Sequence, residues 1–184
     1  MFKKAYFVIL PALITSGYLH ASESSPRVLV AYYSMTGNTA DVANAIHDAA
    51  GGDIYRIELV ETYPTDKKEL RAQLNSEIES NYLPTLRTPG PNIAEYDIVF
   101  LGSPVWAGHL SQPVKSFLNT YDLSGKTVIP FASHGGGGRG KLFQDVADLC
   151  VNCNVDTDGW SSWGGGRQGG IAKWVDKKLS KCCG

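Results

Sequence analysis

Residues 27–39 read Arg27-Val-Leu-Val-Ala-Tyr-Tyr-Ser-Met-Thr-Gly-Asn-Thr39, a strand-length apolar run that gives way to a turn rich in hydroxyls. The run Arg27–Tyr33 shows no period-two alternation, which suits a strand covered on both faces, as in a parallel sheet. Ser34–Thr39 is a loop, and a helix is predicted from about residue 39 to 50. Val42, Ala43, Ile46, Ala49 and Ala50 share one face of it, and Gly51-Gly52 stops it. Strand, loop and helix then recur outward. Asp53–Val60 reads as a strand, and Thr65 caps a polar helix to about Ser80. Asp97–Leu101 is the third strand, followed by the loop Gly102-Ser-Pro-Val-Trp-Ala-Gly-His109 and a helix near Gln112–Tyr121. Thr127–Ala132 is the fourth strand, with Pro130 expected near a strand end or bulge because it donates nothing to a ladder. A glycine-rich loop, a helix near Lys141–Cys150 and a short strand around Asn154–Trp160 come next. The last helix carries Ile171, Trp174, Val175 and Leu179 on one face. Five alternations with short connections and right-handed crossovers predict one α/β domain, a three-layer sandwich around a parallel sheet.

Composition supports that reading. Of 184 residues, 43% are apolar and 19% charged, with 17 Lys+Arg against 18 Asp+Glu. A chain this apolar with a net charge of −1 is not disordered. It also lacks the basic excess of a nucleic-acid binder, so no nucleic-acid partner is expected. The first residues follow another logic. Lys3 and Lys4 precede the apolar run Ala5–Leu19, which Pro11 interrupts, and small residues follow with Ala21 as the last before cleavage. That layout predicts a signal peptide over residues 1–21, hence a periplasmic or secreted domain over 22–184. A membrane partner is expected only if this segment is retained.

In a parallel sheet, ligands bind beyond the carboxyl ends of the strands. Three loops emerge there. Ser34-Met35-Thr36-Gly37-Asn38-Thr39 supplies hydroxyls, a glycine and a helix N-terminus, which together can wrap a phosphate monoester. It would also serve as an ordinary capped helix start. Without a Lys it is not a nucleotide-hydrolysing phosphate loop, and the Gly-x-Gly-x-x-Gly signature is absent. Ser103-Pro104-Val105-Trp106 ends the third strand with an indole among small residues, suited either to a stacking platform or to packing on a neighbouring helix. Ser133-His134-Gly135-Gly136 opens a run of glycines to Gly140 that allows close backbone approach to a flat ligand, or is only a connector.

Together these loops resemble those of the flavodoxin family, over nearly the whole stretch from Arg27 to Leu179. Ser34–Thr39 is similar to the family's phosphate loop. Ser103-Pro-Val-Trp106 and Ser133-His-Gly-Gly136 are similar to the loops of a short flavodoxin-like group. The resemblance implies a five-stranded parallel sheet in order 2-1-3-4-5 with non-covalent FMN at its rim. It assigns Ser34, Thr36, Gly37, Asn38 and Thr39 to the FMN phosphate, Trp106 to ring stacking, and Ser133–Gly136 to the isoalloxazine edge. Met35, Ser103, Pro104 and Val105 complete the cofactor-binding set. Tyr63 and Tyr82 are candidates for the second flavin face.

The function this implies is an FMN-binding electron-transfer protein acting outside the cytoplasm with redox partner proteins. An FMN-dependent NAD(P)H or quinone oxidoreductase is the alternative, and a flavin-free binding module on the same fold is a third reading. No catalytic acid, base or metal-ligand cluster stands out. His134, with His109 nearby, is the titratable candidate for modulating the charge of the reduced flavin, although each His reads first as a loop residue bonded to the backbone. Four cysteines, Cys150, Cys153, Cys182 and Cys183, allow three pairings. One or two structural disulfides are expected to tie residues 150–153 to the C-terminal tail, about a strand length from the rim.

Overall fold

The computed structural model describes residues 25–166 and 169–182, so the expected signal peptide lies outside the described residues. The sheet runs β2-β1-β3-β5-β6. β1 is Val28–Tyr32, β2 Asp53–Arg56, β3 Ile98–Trp106, β4 His109–Leu110, β5 Thr127–His134, β6 Asn154–Val155 and β7 Trp160–Trp163. β4 is only a two-residue hairpin arm on β3, and β6 and β7 are successive pieces of one edge beside β5. The order is therefore the expected 2-1-3-4-5, and the long strand pairings are parallel.

The unbroken apolar run of β1 is explained by its two faces. Leu29, Ala31 and Tyr33 point to the side covered by α2 (Lys67–Ser80), α3 (Gln112–Thr120) and α4 (Leu142–Leu149). Val28, Val30 and Tyr32 point to the side covered by α1 (Asn38–Ala50) and α5 (Ile171–Cys182). β3 and β5 alternate in the same way, with Val99 and Leu101 on the first side and Phe100, Ile129 and Phe131 on the second. Each strand residue thus removes its side chain from water on one face or the other. Among the described residues no helix is long and apolar enough to cross a membrane.

Four expectations shift. The second strand ends at Arg56, with an isolated bridge from Leu59 to Leu86 beyond it. Asp66, not Thr65, caps α2, its Oδ1 accepting from the Lys68 and Glu69 amides. The third strand does not stop at Leu101, because β5 continues beside it as far as Pro104↔Ser133. It then reverses through Ala107 and Gly108, both at positive φ (49° and 83°), the backbone of a tight primed hairpin turn. Lastly, Pro130 sits inside β5 opposite Leu101, not at an end. Its edge of β5 faces the interval between β6 and β7: the Val128 carbonyl still accepts from the Asp156 amide, and pairing resumes only at Phe131↔Trp160. The neighbouring strand is broken where proline has no N–H to give. Lys178 braces that break. It is 2% exposed, and its Nζ donates to Asp156 Oδ2 at 2.9 Å and Asp158 Oδ2 at 3.1 Å.

The cysteine expectation is also corrected. Cys150 and Cys153 pair with each other, Cα–Cα 5.6 Å, and not with the tail; Cys183 lies outside the described residues. After α4 the chain turns back through Asn152 at φ 56°, and the Cys153 amide reaches the Cys150 carbonyl at 3.4 Å, which brings the two side chains together. Cys153 precedes Asn154, which pairs with Thr127 at the start of β5. His134, seven residues further along β5, is therefore about 23 Å away at 3.3 Å per residue.

Candidate functional site

The loops after β1, β3, β5 and β7 meet at the carboxyl edge of the sheet. The first is built around Gly37, the N-cap of α1, at φ 93°. That left-handed conformation favours glycine, and a Cβ there would meet nothing within 4 Å. α1 has no side-chain cap, so its first-turn amides keep donors for a ligand. Ser34 is buried, and its Oγ accepts from the Gly37 amide at 3.1 Å. Thr36 and Asn38 are exposed, with Asn38 Nδ2 donating to Thr36 Oγ1 at 3.4 Å. Met35 is half-buried on the edge of the core. Thr39 is buried, and its hydroxyl meets that of Ser133 at 2.8 Å.

In the second loop, Ser103 is not at the surface. It is fully buried, its Oγ lies 2.8 Å from Ser111 Oγ and accepts from the Ser111 amide, so it braces the start of α3. Pro104 and Val105 are half-buried. Trp106 is half-buried too, and its indole stands edge-to-face on Tyr33 (5.7 Å between centroids) and Tyr63 (5.1 Å). Tyr63 therefore backs the indole, and with Tyr33, Ser34 and Met35 it also lines a cavity beside the first loop. It is buried and donates its hydroxyl to Glu77 Oε2 at 2.6 Å. Tyr82 is exposed beyond the end of α2, where its carbonyl accepts from Gln112 of α3. Burial pushes the Tyr33 hydroxyl up to about 12, with Glu77 adding to the rise and Arg56 opposing it. Burial, and then the hydrogen bond to Glu77, push Tyr63 further in the same direction. Both phenols behind the indole stay neutral near pH 7. Between Val105, Trp106 and Ala107 and the apolar side of α2 (Leu70, Leu74, Ile78) lies a cleft of about 490 Å³.

The third loop contains the glycine run. Cβ atoms built at Gly135, Gly136, Gly137 and Gly138 would meet nothing within 4 Å, so this stretch presents bare backbone to open space. Gly140 is the exception. It stands at φ 54° with its α-carbon against the Gly108 backbone, and the Lys141 amide donates to the Gly108 carbonyl at 2.8 Å. The second and third loops are thereby locked together. His134 Nδ1 accepts from the Gly136 amide at 3.2 Å, folding the imidazole onto its own loop.

Three contributors were not singled out from the sequence. Arg56, at the end of β2, donates from Nη2 to the Ser34 carbonyl at 2.9 Å. The strand order could have suggested it, because β2 is the neighbour of β1. Asp145 of α4 binds His109 Nδ1 at 3.0 Å and accepts from the Leu110 amide at 2.9 Å, pinning the hairpin. The Gly165 amide donates to Asn38 Oδ1 at 3.2 Å, which brings the loop after β7 onto the start of α1. Nothing local in the sequence marks these last two.

Comparison with known proteins agrees with this architecture. A family model described as flavodoxin matches residues 27–178. A crystal structure from Bacteroides eggerthii superposes with a TM-score of 0.72 at 29% identity, covering 83% of this chain and 97% of that one. One from Bacteroides uniformis gives 0.72 at 26%, covering 83% and 99%. A flavoprotein of Lactobacillus acidophilus, solved in complex with FMN, gives 0.67 at 22%, covering 81% and 98%, a likeness of fold. A curated relative from Archaeoglobus fulgidus, named NAD(P)H dehydrogenase (quinone), is 30% identical over 107 residues, covering 54% of this chain. The match spans 52% of that relative, about half its length. With the family match spanning all of the sheet and the loops at its carboxyl edge, this chain belongs to the flavodoxin family.

Proposed function

We propose that this protein binds FMN at the carboxyl edge of the sheet and carries electrons between redox partner proteins. One observation carries the reading: an uncapped helix start at Gly37 and a bare glycine backbone at 135–138 open onto the same edge, joined by the Thr39–Ser133 contact. The residues present fit the group. A phosphate ester needs N–H and O–H donors, which Thr36, Asn38 and the first-turn amides of α1 supply. A flat ring needs a held aromatic surface and backbone free of side chains, which Trp106 and Gly135–Gly138 supply. FMN, when bound, supplies the one- and two-electron chemistry. The protein's share is to orient the ring, shield part of it from water and place amide donors near its edge. Ser34, Thr39 and Ser103, being buried and engaged with protein partners, shape the loops more than they present side chains outward.

The test is a titration of FMN into folded apoprotein, followed by flavin fluorescence. Quenching at micromolar concentrations is expected, weakened in Trp106→Ala and much less in Trp106→Phe. Unquenched emission with the intact protein would reject the reading in favour of a flavin-free module.

A second reading, an FMN-dependent NAD(P)H or quinone oxidoreductase, is favoured by the named activity of the Archaeoglobus relative. Steady-state turnover with NAD(P)H and a quinone, without any partner protein, separates it from a carrier. Action outside the cytoplasm is part of our proposal and rests on the composition of residues 1–21 alone. Cell fractionation with N-terminal sequencing of the mature protein tests it.

A further inference from the structure

Between Ser34 and Thr39 there is no Lys or Arg. A phosphate monoester carries about −1.5 to −2 charges at neutral pH, and a helix start offsets only about half a charge. Among the described residues, Arg56 is a basic side chain that touches this loop. It is the last residue of β2 and stands opposite Tyr32 in the β1–β2 register, so it emerges beside the loop where β1 ends. Its Nη2 donates to the Ser34 carbonyl at 2.9 Å in a half-buried contact.

Two consequences follow from that bond. A trans peptide points its C=O and its N–H in opposite directions. Holding the Ser34 carbonyl towards Arg56 therefore directs the Met35 amide to the other side and keeps a negative dipole turned towards the cation. Ser34 also accepts from the Gly37 amide through its Oγ, so the guanidinium, Ser34 and the start of α1 form one linked unit. The nearby carboxylate is engaged elsewhere: Glu58 Oε2 lies 3.6 Å from Arg87 Nε. Arg56, Glu58 and Arg87 share with Tyr33 and Met35 the wall of a cavity of about 360 Å³ beside the loop.

We propose that Arg56 is a positioning residue that makes this site prefer a phosphorylated flavin to the unphosphorylated one, by setting the Ser34–Met35 peptide and placing a positive charge beside the loop. The proposal deepens the FMN reading above and rests on it.

The experiment compares FMN and riboflavin affinities, by fluorescence quenching, for the intact protein, Arg56→Gln and Arg56→Lys. In Arg56→Gln the FMN dissociation constant is expected to rise about tenfold, the scale of one charge-assisted hydrogen bond, with riboflavin unchanged within about twofold. Arg56→Lys keeps the charge, and its preference for FMN is expected to stay within about threefold of the intact protein. Equal weakening of both flavins in Arg56→Gln would reduce Arg56 to general loop support and overturn the proposal, as would no change in either. Should Arg56→Gln not fold, a tenfold loss of preference in Arg56→Lys overturns it instead, and a retained preference supports it. An intact protein that quenches neither flavin overturns the FMN reading itself. One that quenches FMN while Arg56→Gln keeps its preference overturns only the role of Arg56.

Discussion

Thr39 Oγ1 and Ser133 Oγ lie 2.8 Å apart, although 94 residues separate them in the chain. Thr39 opens α1 and Ser133 ends the buried part of β5, so this pair joins two of the loops at the carboxyl edge. Both are nearly inaccessible, at 1% and 4% exposure. Removing one partner leaves a buried hydroxyl unsatisfied, at a cost of about 1–3 kcal/mol, whereas removing both avoids that penalty. Thr39→Val and Ser133→Ala should each destabilise by that amount, and the double variant by clearly less than the sum. Denaturant unfolding of the four proteins checks the coupling.

Two glycines of one loop should respond differently. Gly140 stands at positive φ with its α-carbon against Gly108, so Gly140→Ala should lose at least about 1 kcal/mol and loosen the lock between two loops. Gly137 faces open space, so Gly137→Ala should change stability by less than about 0.5 kcal/mol. It should nonetheless weaken FMN binding, because in the proposed mode the ring lies against this bare backbone and the added methyl group would hold it off. Thermal melts with and without FMN separate the two effects.

Acid should release the brace at the broken edge. Burial alone pushes the Asp156 carboxyl up, but the hydrogen bonds from Lys178 and the Asp158 amide, with the charges of Lys178 and Lys181, outweigh it and hold the carboxyl below its usual value. A carboxyl lowered in the folded state contributes stability above its unfolded value, near 4, and loses it as pH falls through the folded value. Lys178→Met should reduce that part of the acid dependence, leaving what the Asp158 amide and Lys181 contribute. It should also cost about 3 kcal/mol at pH 7 by leaving Asp156 without its buried cation, the low end of the usual range because Asp158 is 75% exposed. Urea unfolding between pH 3 and pH 7 reads both.

Thiol chemistry tests the cysteine pairing. Alkylation without reduction, followed by mass spectrometry of the 150–153 peptide, should find Cys150 and Cys153 protected together. Their bond closes a very short loop, so replacing both with Ser should cost about 2 kcal/mol by loop entropy. A bridge from this region to the tail, closing about thirty residues, would give about 3–4 kcal/mol. Its position about a strand length from the carboxyl edge predicts no effect on FMN affinity.

The legible parts of the molecule are those written in local pattern. The unalternated run Val28–Tyr32 announced a strand covered on both sides, and the structure covers it so. Val42, Ala43 and Ile46 marked the inner face of α1, and Gly51 its end. Trp106 stood out because an indole among Ser, Pro, Ala and Gly has few neighbours of its own. What the local pattern did not reveal was its backing by Tyr33 and Tyr63, which come from a different strand and a different loop. Tyr63 is held by a contact of the same long-range kind: its hydroxyl donates to Glu77 on α2, fourteen residues away.

Sequence alone determined the succession of strands and helices, their buried faces and the three loops at one edge, because hydrophobic period and turn chemistry act over a few residues. Tertiary structure decided the rest. It broke the last strand where Pro130 has no hydrogen to offer, turned Ser103 inward onto Ser111, paired Cys150 with Cys153, and laid Arg56 on the Ser34 carbonyl. Most of these outcomes depend on which strand lies beside which, and on where a backbone partner falls in register. The Cys150–Cys153 pairing depends on how tightly the chain turns back at Asn152. Such distances are set only once the whole sheet has assembled.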